Sequence, residues 1–116
     1  MQLKLVQQMA TESSYLTCSG TIVCGKETTV FMETLRELIR GSRSVVVDLG
    51  SVTRMDCSGL GALALAAGEA RSRDKRLVLR RVPGCIRNML RLTRLDSVIE
   101  IQEQAEAARA DRESAA

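Results

Sequence analysis

Apolar and polar positions alternate at the start of the chain, then change period. Leu3 and Leu5 alternate with Lys4 and Val6, which predicts a first strand at a sheet edge, followed by a polar turn from Ala10 to Ser14. From Tyr15 to Cys24 the two faces separate: Leu16, Cys18, Ile22 and Cys24 fall on one, and Tyr15, Thr17, Ser19 and Thr21 on the other. The two strands form a hairpin. Gly20 interrupts the second and marks a bulge expected near the turn that carries Ser58. Lys26 to Thr29 read as a polar turn, with Thr28 or Thr29 capping a helix whose stripe is Phe31, Leu35, Leu38 and Ile39 and whose end is Gly41.

Val45, Val46, Val47 and Leu49 then form a β-branched run of the kind buried in the middle of a parallel sheet. Asp48 falls near its end, where loop chemistry is expected to begin. The period changes again after Asp56-Cys57-Ser58-Gly59, where Leu60, Leu63, Ala64 and Ala67 recur at helical spacing. Asp56 and Ser58 are residue types that accept hydrogen bonds from the unpaired amides of a helix start. Those amides and the peptide dipoles favour an anion, so a phosphate on Ser58 suits the position. The same four residues also serve as an ordinary helix cap. Gly59 and Gly61 are expected to permit close approach of another backbone.

Leu77, Val78 and Leu79 give a further strand, parallel to the Val45 run because a helix separates them. Pro83 and Gly84 end it. In the next helix Ile86, Met89, Leu90 and Thr93 share one side, with Arg87, Arg91 and Arg94 opposite. Asp96 to Ile101 adds a last short strand, with Val98 and Ile101, or Ile99, inward. Residues 102–116 are expected to form a C-terminal helix and mobile tail around a core of about 3–101.

Composition narrows the chemistry. A chain of 116 residues makes one domain, and with no Trp, one Phe and one Tyr its core must be aliphatic. The absence of histidine removes the Ser-His-Asp triad, the Cys-His pair and any His-bearing metal site. Neither nucleotide-binding glycine motif is present. Cys18, Cys24, Cys57 and Cys85 have no C-x-x-C spacing, which suits reduced thiols, and Cys57 lies where a helix start can make a thiol reactive. With neither a signal-peptide pattern nor a membrane-length apolar run, a cytoplasmic protein without membrane insertion is expected. Residues 71–94 hold nine basic residues and one acidic residue, a charge of +8 against −1 for 1–70 and −4 for 95–116. Such a region suits an anionic partner, although the near absence of aromatics speaks against nucleic acid.

The segment VVVDLGSVTRMDCSGLGAL carries the pattern D-L-x-x-V-x-x-x-D-[ST]-[ST]-G-[LIV]-x-x-L, and KRLVLRRV and VPGCIRNMLRLTRLDSVIEI follow it. Together they resemble the STAS domain family, and within it the bacterial anti-sigma-factor antagonists. The resemblance implies a single α/β domain with a mixed four- to five-stranded sheet and helices packed mainly on one face. It also implies a partner switch: a non-enzymatic antagonist binds an anti-sigma factor that is a serine kinase, and phosphorylation at Ser58, reversed by a phosphatase, controls the binding. No cofactor is expected, since ATP belongs to the kinase. Around Ser58 the implied phosphosite turn and partner surface are Asp48, Met55, Asp56, Cys57, Gly59, Leu60, Gly61 and Gly20. Cys57 replaces the first motif serine, and Val23 stands where family members carry an acid. The alternatives are a non-phosphorylated STAS subunit of a membrane lipid or anion transport assembly, and a Cys57 redox sensor.

Overall fold

The computed structural model describes residues 3–9 and 12–102. Its elements are β1 (Lys4–Met9), β2 (Ser13–Ile22), α1 (Lys26–Gly41), β3 (Ser44–Met55), α2 (Cys57–Ser72), β4 (Arg76–Arg80), α3 (Gly84–Leu92), a 3-10 turn at Leu95–Ser97 and β5 (Glu100–Ile101). The sheet order is β1-β2-β3-β4-β5, with β1 antiparallel to β2 and every later neighbour parallel. Each parallel connection therefore runs through a helix. Because the order advances in one direction, right-handed crossovers place all three helices on the same face.

Burial follows that geometry. Leu16, Cys18, Val45, Val47, Leu49, Leu77 and Leu79 point into one cluster with Phe31, Leu35 and Ile39 of α1, Leu60, Leu63 and Ala66 of α2, and Ile86 and Leu90 of α3. The expected aliphatic core is this cluster. Alternate strand positions supply the opposite face, where the register aligns Gln8, Tyr15, Val46, Val78 and Glu100 in one row across all five strands. Glu69 of α2 accepts from Arg36 of α1 at 2.9 Å and lies 3.3 Å from Arg40, joining the two helices over the core.

Several boundaries differ from the sequence reading. Ser13 and Ser14 belong to β2 rather than to a turn, since Ser14 pairs with Met9 and Val45 and its hydroxyl bonds that of Ser42. β2 stops at Ile22, leaving Cys24 exposed, and the chain turns at Gly25 so that α1 starts at Lys26 with no side-chain cap. Ala64 is only partly buried. Asp96 falls in the 3-10 turn; Ile99 points inward and Val98, 40% exposed, outward. Gln102 begins no helix at its own position, because its N–H donates to Leu79 O and prolongs the β4–β5 pairing. The rest of the expected C-terminal helix and tail lies outside the described residues.

The largest difference is β3. It runs through Met55, so Asp48 sits inside the strand, paired with Thr17 and Arg80. Gly50 to Met55 stay in the sheet because β2 continues alongside them, with Ser19 opposite Ser51 and Ile22 opposite Met55. Two register shifts, between Thr17 and Ser19 and between Gly20 and Thr21, absorb the extra β3 residues as bulges. Gly20, buried at φ 100°, lies at the second, so the expected bulge is present.

Asp48 is 4% exposed and accepts from Gly50 N at 2.9 Å, Arg80 Nη2 at 3.1 Å and Arg81 Nε at 3.1 Å. Burial alone would raise its pKa, but the Gly50 N–H, Arg81 and Arg80 together lower it below the usual carboxylate value. Arg81 reaches Asp48 across Gly50, where any Cβ would meet its guanidinium at 2.7 Å. A group with a depressed folded pKa stabilises fully above its unfolded value, and that contribution is lost as pH falls through the folded value. Asp48→Asn is therefore expected to lower stability by about 1.5–3 kcal/mol at neutral pH, with the gap to wild type closing below about pH 4, as read by urea unfolding across pH.

Candidate functional site

β3 ends at Met55 and the next residue caps α2. Asp56 adopts an extended backbone, and its Oδ1 accepts from Ser58 N at 3.0 Å and Gly59 N at 3.2 Å. The amides that the sequence suggested were open to a phosphate are thus already occupied by a carboxylate. Asp56 Oδ2 accepts from Cys24 N at 3.0 Å, which ties the β2–α1 connection to the start of α2. The Ser58 hydroxyl donates to Asp56 Oδ1 at 2.5 Å. With that hydroxyl contributing most and the Cys24 N–H next, the Asp56 pKa is pushed down to about 2, so the group is a fixed anion at physiological pH.

Thr28 completes the surroundings of Ser58. Its Oγ1 donates to Val23 O at 2.6 Å and lies 3.0 Å from Ser58 Oγ. Two hydroxyl protons then serve three contacts, so the Thr28–Ser58 bond forms only when one hydroxyl turns from its other partner. Ser58 is partly exposed, and its hydroxyl lies between Asp56 Oδ1 and Thr28 Oγ1.

The predicted site residues separate into three groups. Cys57 and Gly61 are exposed beside Ser58, and α2 continues that face with Leu65, 65% exposed, and Gly68. Met55 and Leu60 are buried at 7% each and support the turn from beneath, so neither offers surface to a partner. Gly59 is buried because a Cβ there would meet Met55 Cγ at 2.7 Å and Ile22 O at 2.8 Å. Gly61 has nothing within 4 Å, so the expected close approach occurs at Gly59 alone. Asp48 is not brought to the Ser58 turn: five register steps of β2 from Thr17 to Ile22 separate it from the strand end, roughly 17 Å. Gly20 pairs with Val52 and accepts from Thr53 Oγ1 at 3.1 Å, which places it within the sheet opposite the extra β3 residue, Thr53.

Part of the basic region is neutralised by acids: Arg73 pairs with Glu69, Arg76 with Glu100, and Arg80 and Arg81 with Asp48, while Arg87 of α3 lines one surface concavity with Arg81 and another with Arg91 and Glu100. Among the described residues no cluster of three or more Cys, Asp and Glu could hold a metal ion, and no helix is long and apolar enough to cross a membrane.

Residues 6–102 match the family described as Mlab, STAS domain. The chain belongs to the STAS domain family. Among solved structures, the unphosphorylated anti-sigma factor antagonist SpoIIAA is similar at TM-score 0.71 and 15% identity, covering 94% of this chain and 96% of that one. An anti-sigma factor antagonist from Mycobacterium paratuberculosis is similar at TM-score 0.76 and 18% identity over 96% and 95% of the two chains. SpoIIAA of Bacillus in its phosphorylated form gives TM-score 0.70 and 15% identity over 92% and 98%. At these identities the likeness is one of fold. The STAS chain described here shares with them a mixed sheet and one layer of helices.

Two contacts at the STAS site have no sequence signal. Thr28 reads as a helix cap and Cys24 as a core strand position, yet both meet the Asp56–Ser58 turn across about 30 residues of chain. Gly59→Ala is expected to cost about 1–3 kcal/mol, because the Ile22 carbonyl is backbone and cannot move aside as a side-chain tip does. Thermal unfolding measures the loss, and Gly61→Ala, with open space around it, should show none.

Proposed function

We propose that this STAS domain is an anti-sigma-factor antagonist that docks on an anti-sigma factor with serine kinase activity, and that reversible phosphorylation of Ser58 decides whether it docks. The observation that carries this reading is a partly exposed hydroxyl at the start of α2, held 2.5 Å from a carboxylate that stays ionised. Similarity in fold to SpoIIAA, whose structure is known in unphosphorylated and phosphorylated forms, supports it.

The domain acts here as a substrate and a ligand, and the kinase supplies ATP. The docking face is the start of α2 and its outer side, Cys57, Gly61, Leu65 and Gly68, which carries no charge. A phosphate on Ser58 adds about −1.5 to −2 charges at the head of that face. Two of the first α2 amides, Ser58 N and Gly59 N, are already taken by Asp56, so the new anion meets a fixed anion beside it. Repulsion and the cost of desolvating the phosphate then weaken docking. A phosphatase returns the neutral face.

Val23 favours a second reading. Where family members carry an acid, this chain presents only the Val23 carbonyl, bonded to Thr28. A STAS subunit of a membrane lipid or anion transport assembly would use the same α2 face without phosphorylation.

Incubation with ATP and candidate anti-sigma kinases distinguishes the two. Addition of one phosphate to wild type and none to Ser58→Ala is expected. Ser58→Asp should bind the kinase at least tenfold more weakly than Ser58→Ala, about 1.4 kcal/mol, by calorimetry. Equal affinities, or no phosphate on Ser58 with any such kinase, would overturn the switch in favour of the transport reading.

A further inference from the structure

Cys24 and Cys57 are 33 positions apart in the chain, and the fold brings both to the Ser58 turn. The last register pair of β2 and β3 is Ile22 with Met55, and each cysteine lies two residues beyond it. Neighbouring strands run about 4.8 Å apart. The two segments do not diverge freely after that pair, because Asp56 N donates to Ile22 O at 3.3 Å and Asp56 Oδ2 accepts from Cys24 N at 3.0 Å. Cys24 lies past the end of β2 and Cys57 is the first residue of α2, so these two hydrogen bonds, rather than strand pairing, keep the segments together in the range of about 4.4–6.8 Å between Cα atoms that a disulfide needs. Both side chains are exposed, so an oxidant has access to each.

The other two cysteines are differently placed. Cys18 is sealed in the core, where burial, and then the nearby Asp48, push its thiol up to about 12. Cys85 is exposed in the first turn of α3, on an element remote from the Ser58 turn.

We propose that Cys24 and Cys57 form a redox-responsive dithiol, closed to a disulfide by hydroperoxides and reopened by small thiols. In the first step one thiolate attacks the peroxide oxygen, the O–O bond breaks, and an alcohol or water leaves as that sulfur becomes a sulfenic acid. The second thiolate attacks this sulfur, the S–O bond breaks, water leaves and the S–S bond forms. Two thiols are oxidised by two electrons and one peroxide is reduced. The bridge joins the two segments that hold Ser58: Cys57 adjoins it, and Cys24 begins the connection that delivers Thr28 to its hydroxyl. Its effect on Ser58 rests on the phosphorylation reading above, whereas its formation does not.

The test uses the full chain with Cys85→Ser, treated with hydrogen peroxide and digested without reduction. A single peptide pair linked through Cys24 and Cys57 is expected in the monomer fraction, absent from Cys24→Ser and Cys57→Ser and lost on adding dithiothreitol. Separate sulfenic or sulfinic acids on the two cysteines, or bridges only between molecules, would overturn the proposal. The oxidised monomer should also accept phosphate from the kinase at least tenfold more slowly than the reduced one. A bridge that forms with no change in the phosphorylation rate would overturn its regulatory part alone, and absence of phosphorylation in the reduced protein would count against the Ser58 switch while leaving the dithiol established by mass.

Discussion

One carboxylate organises the functional end of this domain. Asp56 caps α2 through two amides, fixes the Ser58 hydroxyl, and crosses to the β2–α1 connection through the Cys24 N–H. A carboxylate accepting several hydrogen bonds is stabilised in its charged form, so the cap persists over the whole physiological pH range. The serine that follows is thereby placed at an exposed rim with a defined orientation. Under the proposed switch, a phosphate on Ser58 would meet a permanent negative neighbour there.

The rest of the fold delivers Asp56 to that place. β3 remains paired with β2 as far as Met55, and two bulges let the longer β3 segment keep step with the shorter β2 segment. Bulges strengthen twist and redirect a strand end. Beneath the turn, Met55 and Ile22 pack against a glycine that no larger residue could replace without moving backbone. Further along the sheet, Asp48 performs a separate task on the face without helices, where it neutralises Arg80 and Arg81 and holds Arg81 in a left-handed conformation at φ 53°. Its acidity serves the sheet, not the Ser58 turn.

The sequence showed the serine and its cap because both are local: the order Asp-Cys-Ser-Gly before an apolar run encodes a helix start within four residues. Alternation of residues in β2 and the stripe of α1 were legible for the same reason, since each face repeats with the period of its own backbone. The sequence puts Asp48 near a strand end because the apolar run stops beside it, and polar residues from Gly50 onward resemble a turn. They are strand because β2 supplies partners there, a fact that lies in another segment. Leu65 followed no predicted stripe, since its position on α2 faces away from the core.

What the sequence by itself determined was the element order, the aliphatic core, the single domain and the serine at a helix start, all consequences of periodicity and capping that act within a few residues. Only the tertiary structure decided that Thr28 and Cys24 meet Ser58 and Asp56, that Asp48 belongs to the sheet, and that Arg73, Arg76, Arg80 and Arg81 find acidic partners on other segments or turns. The physical reason is range: hydrogen bonds and ion pairs between segments tens of residues apart depend on how β2 and β3 align, and register is set by packing of the whole sheet, not by any short stretch of chain.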